Sequence, residues 1–85
     1  MEPLPPNKYD RNDRIAIAVL RGWTLREVAS IFNISGEMVR HITGRVAKRV
    51  SPLIYASGKR GSIVAYRKNK NRIIGAIRQG YGDKS

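Results

Sequence analysis

Cysteine is absent from this 85-residue chain, so neither a disulfide framework nor a thiolate zinc site is open to it. Histidine occurs once, and the six acids are scattered. No nucleophile stands beside a base and no metal-ligand spacing occurs, which argues against an enzyme, a bound metal and a cofactor. Gly58-Lys59-Arg60-Gly61-Ser62 lacks the spacing of a phosphate-binding loop. Long apolar runs are missing as well. Ile15 to Leu20 is the longest, against the ~20 residues that span a bilayer. Met1 to Pro6 has neither the charged nor the apolar region of a signal peptide, so the expected location is cytoplasmic, with no membrane partner.

Acids are also nearly missing from the second half. Up to Val39, Lys8, Arg11, Arg14, Arg21 and Arg26 are balanced by Glu2, Asp10, Asp13, Glu27 and Glu37. From Arg40 onward Asp83 is the sole acid, and the whole net charge of +11 is carried there. A one-signed field this dense requires a polyanion or tolerates self-repulsion. Nucleic acid fits better than a membrane surface, because no basic stretch carries a wide apolar face with aromatic anchors.

What is present is a helical pattern. Hydrophobic residues make up 41% of the chain, enough for one small core. Residues 1–9 hold three of the four prolines and read as an extended arm. A first helix is expected from Asp10–Asp13, with Asp and Asn side chains capping it, to a stop at Gly22, and Trp23 packing back on its end. Thr24-Leu25-Arg26-Glu27 fits a capping box, and Leu25, Val28, Ala29 and Phe32 follow at the spacing of one buried face. Asn33-Ile34-Ser35 makes a tight turn, with Asn33 left-handed and Ser35 capping the next helix. That helix runs from Gly36 to about Val50 with Val39, Ile42, Val46 and Val50 inward. Gly44 in its interior costs about 1 kcal/mol relative to Ala, and marks either a close backbone approach or a tolerated weak point.

Beyond Pro52 two readings stay open. Leu53–Ala56 and Ser62–Arg67 form either a short hairpin with a basic tip or a helical segment after a loop, followed by a final helix from Asn71 to Gln79. Arg14-Ile15, Ala18-Val19 and Gly22-Trp23 recur as Arg72-Ile73, Ala76-Ile77 and Gly80-Tyr81, which is either a truncated repeat or, better, the chance likeness of two short amphipathic helices. The expected fold is mainly α: an arm (1–9), a tri-helical helix-turn-helix core (10–52) and a basic C-terminal extension (53–85).

Two capped helices joined by a short turn define a helix-turn-helix, whose second helix places its first residues against base edges. Those residues are Gly36, Glu37, Arg40 and His41. Thr24, Ser35, Arg45, Lys48, Arg49, Lys59 and Arg60 suit phosphate, and Arg67, Lys68, Lys70 and Arg72 are either a second phosphate track or a solvated face. Tyr55, Tyr66 and Tyr81 suit packing better than base stacking.

From Thr24-Leu25 through Glu27-Val28, Phe32, Ile34-Ser35, Glu37, Val39-Arg40, Ile42, Arg45-Val46 and Lys48-Arg49-Val50, the chain resembles the promoter-reading C-terminal region of primary bacterial sigma factors. It is similar, less closely, to the DNA-binding domain of quorum-sensing response regulators. The resemblance covers Arg14 to about Leu53. It implies that Glu37 accepts from cytosine or adenine amino groups, that Arg40 meets a guanine or a phosphate, and that His41 takes a position where the family has glutamine. Gly36 departs from the arginine common there, and that base contact is absent. Glu37 also suits a helix start whatever it touches, and Arg40 serves equally as a phosphate clamp.

The expected function is sequence-specific binding of double-stranded DNA by a small bacterial or phage transcription regulator, at the nucleoid or in the host cytoplasm. A homodimer joined through the tyrosine-bearing tail would add specificity. The alternatives are a sigma-like module that binds RNA polymerase, with DNA contact secondary, and an RNA-binding protein.

Overall fold

The computed structural model describes residues 3–57 and 63–82, apart from the side chains of residues 56 and 57. Among them are six helices and no strand: α1 (Arg11–Leu20), α2 (Leu25–Phe32), α3 (Gly36–Val50), α4 (Pro52–Ser57), α5 (Ile63–Lys68) and α6 (Lys70–Gln79). The fold is mainly α.

The helix boundaries follow from local chemistry. α1 ends at Leu20, and the chain turns away at Gly22, whose φ of +109° is costly for any residue with a Cβ. At Thr24 the capping box is complete: the Glu27 amide donates to the hydroxyl at 3.0 Å, and the Thr24 amide donates to the Glu27 carboxylate at 2.9 Å. Asn33 closes α2 in the left-handed region (φ 57°, ψ 48°), and the Ser35 hydroxyl accepts from the Met38 amide at 3.1 Å to open α3. The start of α1 departs from expectation. Asp10 occupies the cap position, yet its side chain makes no capping bond.

Val28, Ala29, Val39, Ile42 and Val46 are buried, and Leu25, Phe32, Ile34 and Val50 pack around them, so α2 and α3 present the faces their spacing predicts. Ile15 to Leu20 are all buried because α1 is covered on several sides. Part of that cover is the tail. Tyr66 of α5 and Ile73 and Ile77 of α6 are fully buried in the same cluster.

Of the two readings for residues 53–67 the helical one holds; the tip residues 58–62, including Lys59 and Arg60, lie outside the described residues. β-Branched and aromatic residues favour strands only weakly, and burial of Tyr66 outweighs that preference. α6 begins one residue earlier than expected, at Lys70. Ile15 and Ile73, and Val19 and Ile77, are equivalent core positions of the repeated pattern. The glycines are not equivalent: Gly80 is right-handed (φ −62°) where Gly22 is left-handed.

The arm is docked rather than free. Pro5 and Tyr9 are buried, Leu4 packs on the core, and Arg21 donates to the Pro3 carbonyl at 3.1 Å. Tyr9 meets Tyr81 edge to face with ring centroids 4.8 Å apart. Beneath this pair lies the buried side chain of Asp13, which accepts from Arg49 at 2.6 Å and from the Tyr81 hydroxyl at 2.5 Å. The same hydroxyl accepts from the Asp10 amide at 3.0 Å, so the end of the tail serves the helix start that Asp10 leaves uncapped.

Two predictions follow from this packing. At Gly44 the approach is a side chain, the Tyr66 hydroxyl, 3.7 Å from the position a Cβ would take. That is ordinary contact, so Gly44→Ala should stabilise the fold by about 0.5–1 kcal/mol in urea denaturation, whereas Gly44→Leu should destabilise it. Burial, and then the bond to Asp13, push the Tyr81 hydroxyl above its ordinary value of 10.0. Its stabilising effect is therefore complete below pH 10 and lost as pH rises through the raised value. Tyr81→Phe should cost about 1.5 kcal/mol at neutral pH and should flatten the alkaline loss of stability, measured by urea midpoints across the range.

Candidate nucleic-acid interface

The candidate surface lies at the capped end of α3. Ser35 fixes the first turn, and the buried Val39 and Ile42 hold the opposite face inward. Glu37, Arg40 and His41 are therefore exposed together on one side, with Gly36 half-buried beside the cap. The four candidate base readers form a single patch.

Within it Glu37 organises its neighbours. Its Oε1 accepts from Arg40 at 2.7 Å and lies 3.3 Å from His41 Nε2. The hydrogen bond from Arg40, and then that guanidinium's charge, hold the Glu37 carboxyl below its ordinary value. The side chains are 46% (Arg40), 62% (Glu37) and 64% (His41) exposed. Pairs this open are screened by solvent and contribute little to stability, so they can exchange partners when another ligand arrives. A carboxylate suits the amino group of cytosine or adenine, and a guanidinium suits the paired acceptors of guanine.

The candidate phosphate residues divide into groups. The Thr24 and Ser35 oxygens accept the capping bonds, which leaves each exposed hydroxyl proton available to an acceptor. Arg45 is exposed on α3. Lys48 is exposed too, with its ammonium 5.8 Å from the centroid of the Tyr55 ring. Arg49 is engaged inward with Asp13. Lys59 and Arg60 lie outside the described residues.

Arg67 is a structural residue that sequence reading did not separate from its basic neighbours. Its Nε donates to the Val19 carbonyl at 3.1 Å and Nη2 to the Trp23 carbonyl at 2.8 Å. These groups belong to the exit of α1, where the negative end of the helix dipole favours a cation; the Val19 carbonyl also accepts from the Gly22 amide at 3.1 Å. Nothing in the spacing of residues 63–72 singles it out; the partners lie more than 40 positions away. Asp13 did carry a weak signal, as an acid in the first turn of α1, but its two partners did not.

Among the described residues no group of three or more His, Asp or Glu side chains is placed to hold a metal ion, and no helix is long and apolar enough to cross a membrane. No family model, curated protein or solved structure compared with the chain matches it.

The Arg67 geometry yields a prediction. Arg67→Met keeps the aliphatic stem and removes two carbonyl bonds, so it should destabilise the fold by about 1–3 kcal/mol in urea. Arg67→Lys, a single point donor in place of a fork, should restore only part of the loss.

Proposed function

We propose that this protein binds double-stranded DNA, with the N-terminal half of α3 in the major groove. One observation carries this reading: a doubly capped α2–Asn33–α3 unit that presents Glu37, Arg40 and His41 together on the exposed side of the second helix. The charge distribution supports it. The excess of cations begins at Arg40, inside that helix, and continues through Arg45 and Lys48 to the tail.

Roles follow from position. Glu37 and Arg40 read base edges after giving up their mutual pair, and His41 flanks them. Gly36 contributes no side chain, which lets the groove edge approach the start of α3. Thr24, Ser35, Arg45 and Lys48 contact phosphate, positioning the helix without specifying sequence. Arg49 gives Nη2 to Asp13 and keeps 57% of its side chain exposed, so it adds a phosphate contact only through the rest of its guanidinium. A small DNA-binding regulator of transcription is the role this constellation fits, and a homodimer would double the number of base pairs read.

Selection from a random duplex library across a salt series tests the reading. The wild-type chain should enrich one sequence motif. Arg40→Ala should relax it and cost about 1–3 kcal/mol on the preferred site. Lys48→Ala should weaken all sequences alike and lower the slope of log affinity against log salt by about 0.9. Absence of a motif, with Arg40→Ala behaving like any lost charge, would overturn sequence-specific recognition by α3.

A further inference from the structure

We infer that the junction between α5 and α6 is a second DNA-backbone contact, set beside the helix-turn-helix on the α2 side. The inference rests on the duplex-binding reading above and extends it to a part of the chain outside that motif.

Lys68-Asn69-Lys70-Asn71-Arg72 alternates cations with amides, and no acid occurs from Ile63 to Gly82. The two helices break only at Asn69 (φ −112°, ψ 24°), whose side-chain amide donates to the Ala65 carbonyl at 3.1 Å. Around this break Arg67 to Arg72 line an open depression of about 290 Å³. Lys68, Lys70, Asn71 and Arg72 are exposed along it. Three cations within five residues repel one another, and an anionic surface relieves that repulsion.

Arg67 fixes where the depression sits. It bonds the Trp23 carbonyl at 2.8 Å, and Trp23 precedes Thr24, the cap of α2 and a proposed phosphate contact. Lys68 is the next residue after Arg67, which brings the depression close to the start of α2. The far end of α6 is tied down separately, by the Tyr81–Asp13 bond. The junction is thus held on both sides and cannot swing away from the helix-turn-helix without breaking buried contacts. Its shape selects the class of ligand. The depression is shallow and lined by long flexible cations, which suits a strand of phosphates passing across it rather than an enclosed small anion.

The test compares duplex binding of the full chain and of Lys68→Ala/Arg72→Ala over a salt series, with Lys8→Ala/Arg11→Ala as the charge-matched control. Lys8 and Arg11 are exposed at the opposite end of α1. The tail variant should lower the slope of log affinity against log salt by about 1.8, two phosphates at about 0.9 each, without changing the preferred sequence. The control should leave the slope in place, and Lys68→Arg/Arg72→Lys should retain it. An unchanged slope in the tail variant, or an equal fall in tail variant and control, overturns the inference while duplex binding by α3 stands. If the wild-type chain shows no salt-dependent duplex binding, the underlying reading fails and this inference fails with it.

Discussion

Asp13 is the constraint on which the arrangement of helices depends. A carboxylate taken out of water needs partners, and this one has a guanidinium from the last turn of α3 and a phenol from beyond the end of α6. Those bonds join α1, α3 and the tail at one point, and the edge-to-face contact of Tyr81 with Tyr9 brings in the arm. The apolar faces decide that the helices pack; they are tolerant of small rotations and shifts. The pairing of buried Asp13 with Arg49 is not, because a carboxylate that loses register with its guanidinium is left desolvated and short of a partner. A small core gives only marginal stability, so such a directional contact does much to select one packing among several.

The same contact separates stability from recognition along a single helix. α3 is anchored at its C-terminal end, through Arg49 to Asp13, and along its inner face, through Val39, Ile42 and Val46. Its N-terminal end carries Glu37, Arg40 and His41, whose ion pairs among the described residues are with one another and in solvent. The strong contacts therefore hold the helix, and the weak ones lie where we propose the ligand binds. The arginines divide along the same line. Arg67 is turned inward on two carbonyls and Arg49 shares its guanidinium with Asp13, whereas Arg45 and Arg72 stay outside, so the basic residues are not equivalent surface charges.

Most of the helix-turn-helix is legible in the sequence because its determinants are local. The Thr24–Glu27 box, the left-handed Asn33 and the Ser35 cap each lie within four residues of their partners. The inward stripes of α2 and α3 follow from helical periodicity in the same way. The tail was harder to read: Tyr66 and Ile63 look strand-like locally, and only the space beside Gly44 shows that a helix delivers the ring there. Of the candidate site, the α3 patch was legible for the same local reason. The inward commitments of Arg49 and Arg67 were not, since spacing in sequence carries no information about partners tens of residues away. Asp10 shows the opposite failure, in which a local rule names a capping residue and a tertiary contact serves the helix start instead.

These features bear on the duplex binding we propose. In that reading the first turns of α3 offer few base contacts, and Gly36 has no side chain to add one. Specificity is limited accordingly, but affinity need not be, because phosphate contacts accumulate wherever cations are held at the right place. The tail contributes to holding them. By burying Tyr66, Ile73 and Ile77 against α1 and α3 and fixing Arg67 to the α1–α2 connection, it gives a basic segment a defined position on the fold. The same residues that complete the core thus set the geometry of the charge, and packing and electrostatics in this tail are one property rather than two.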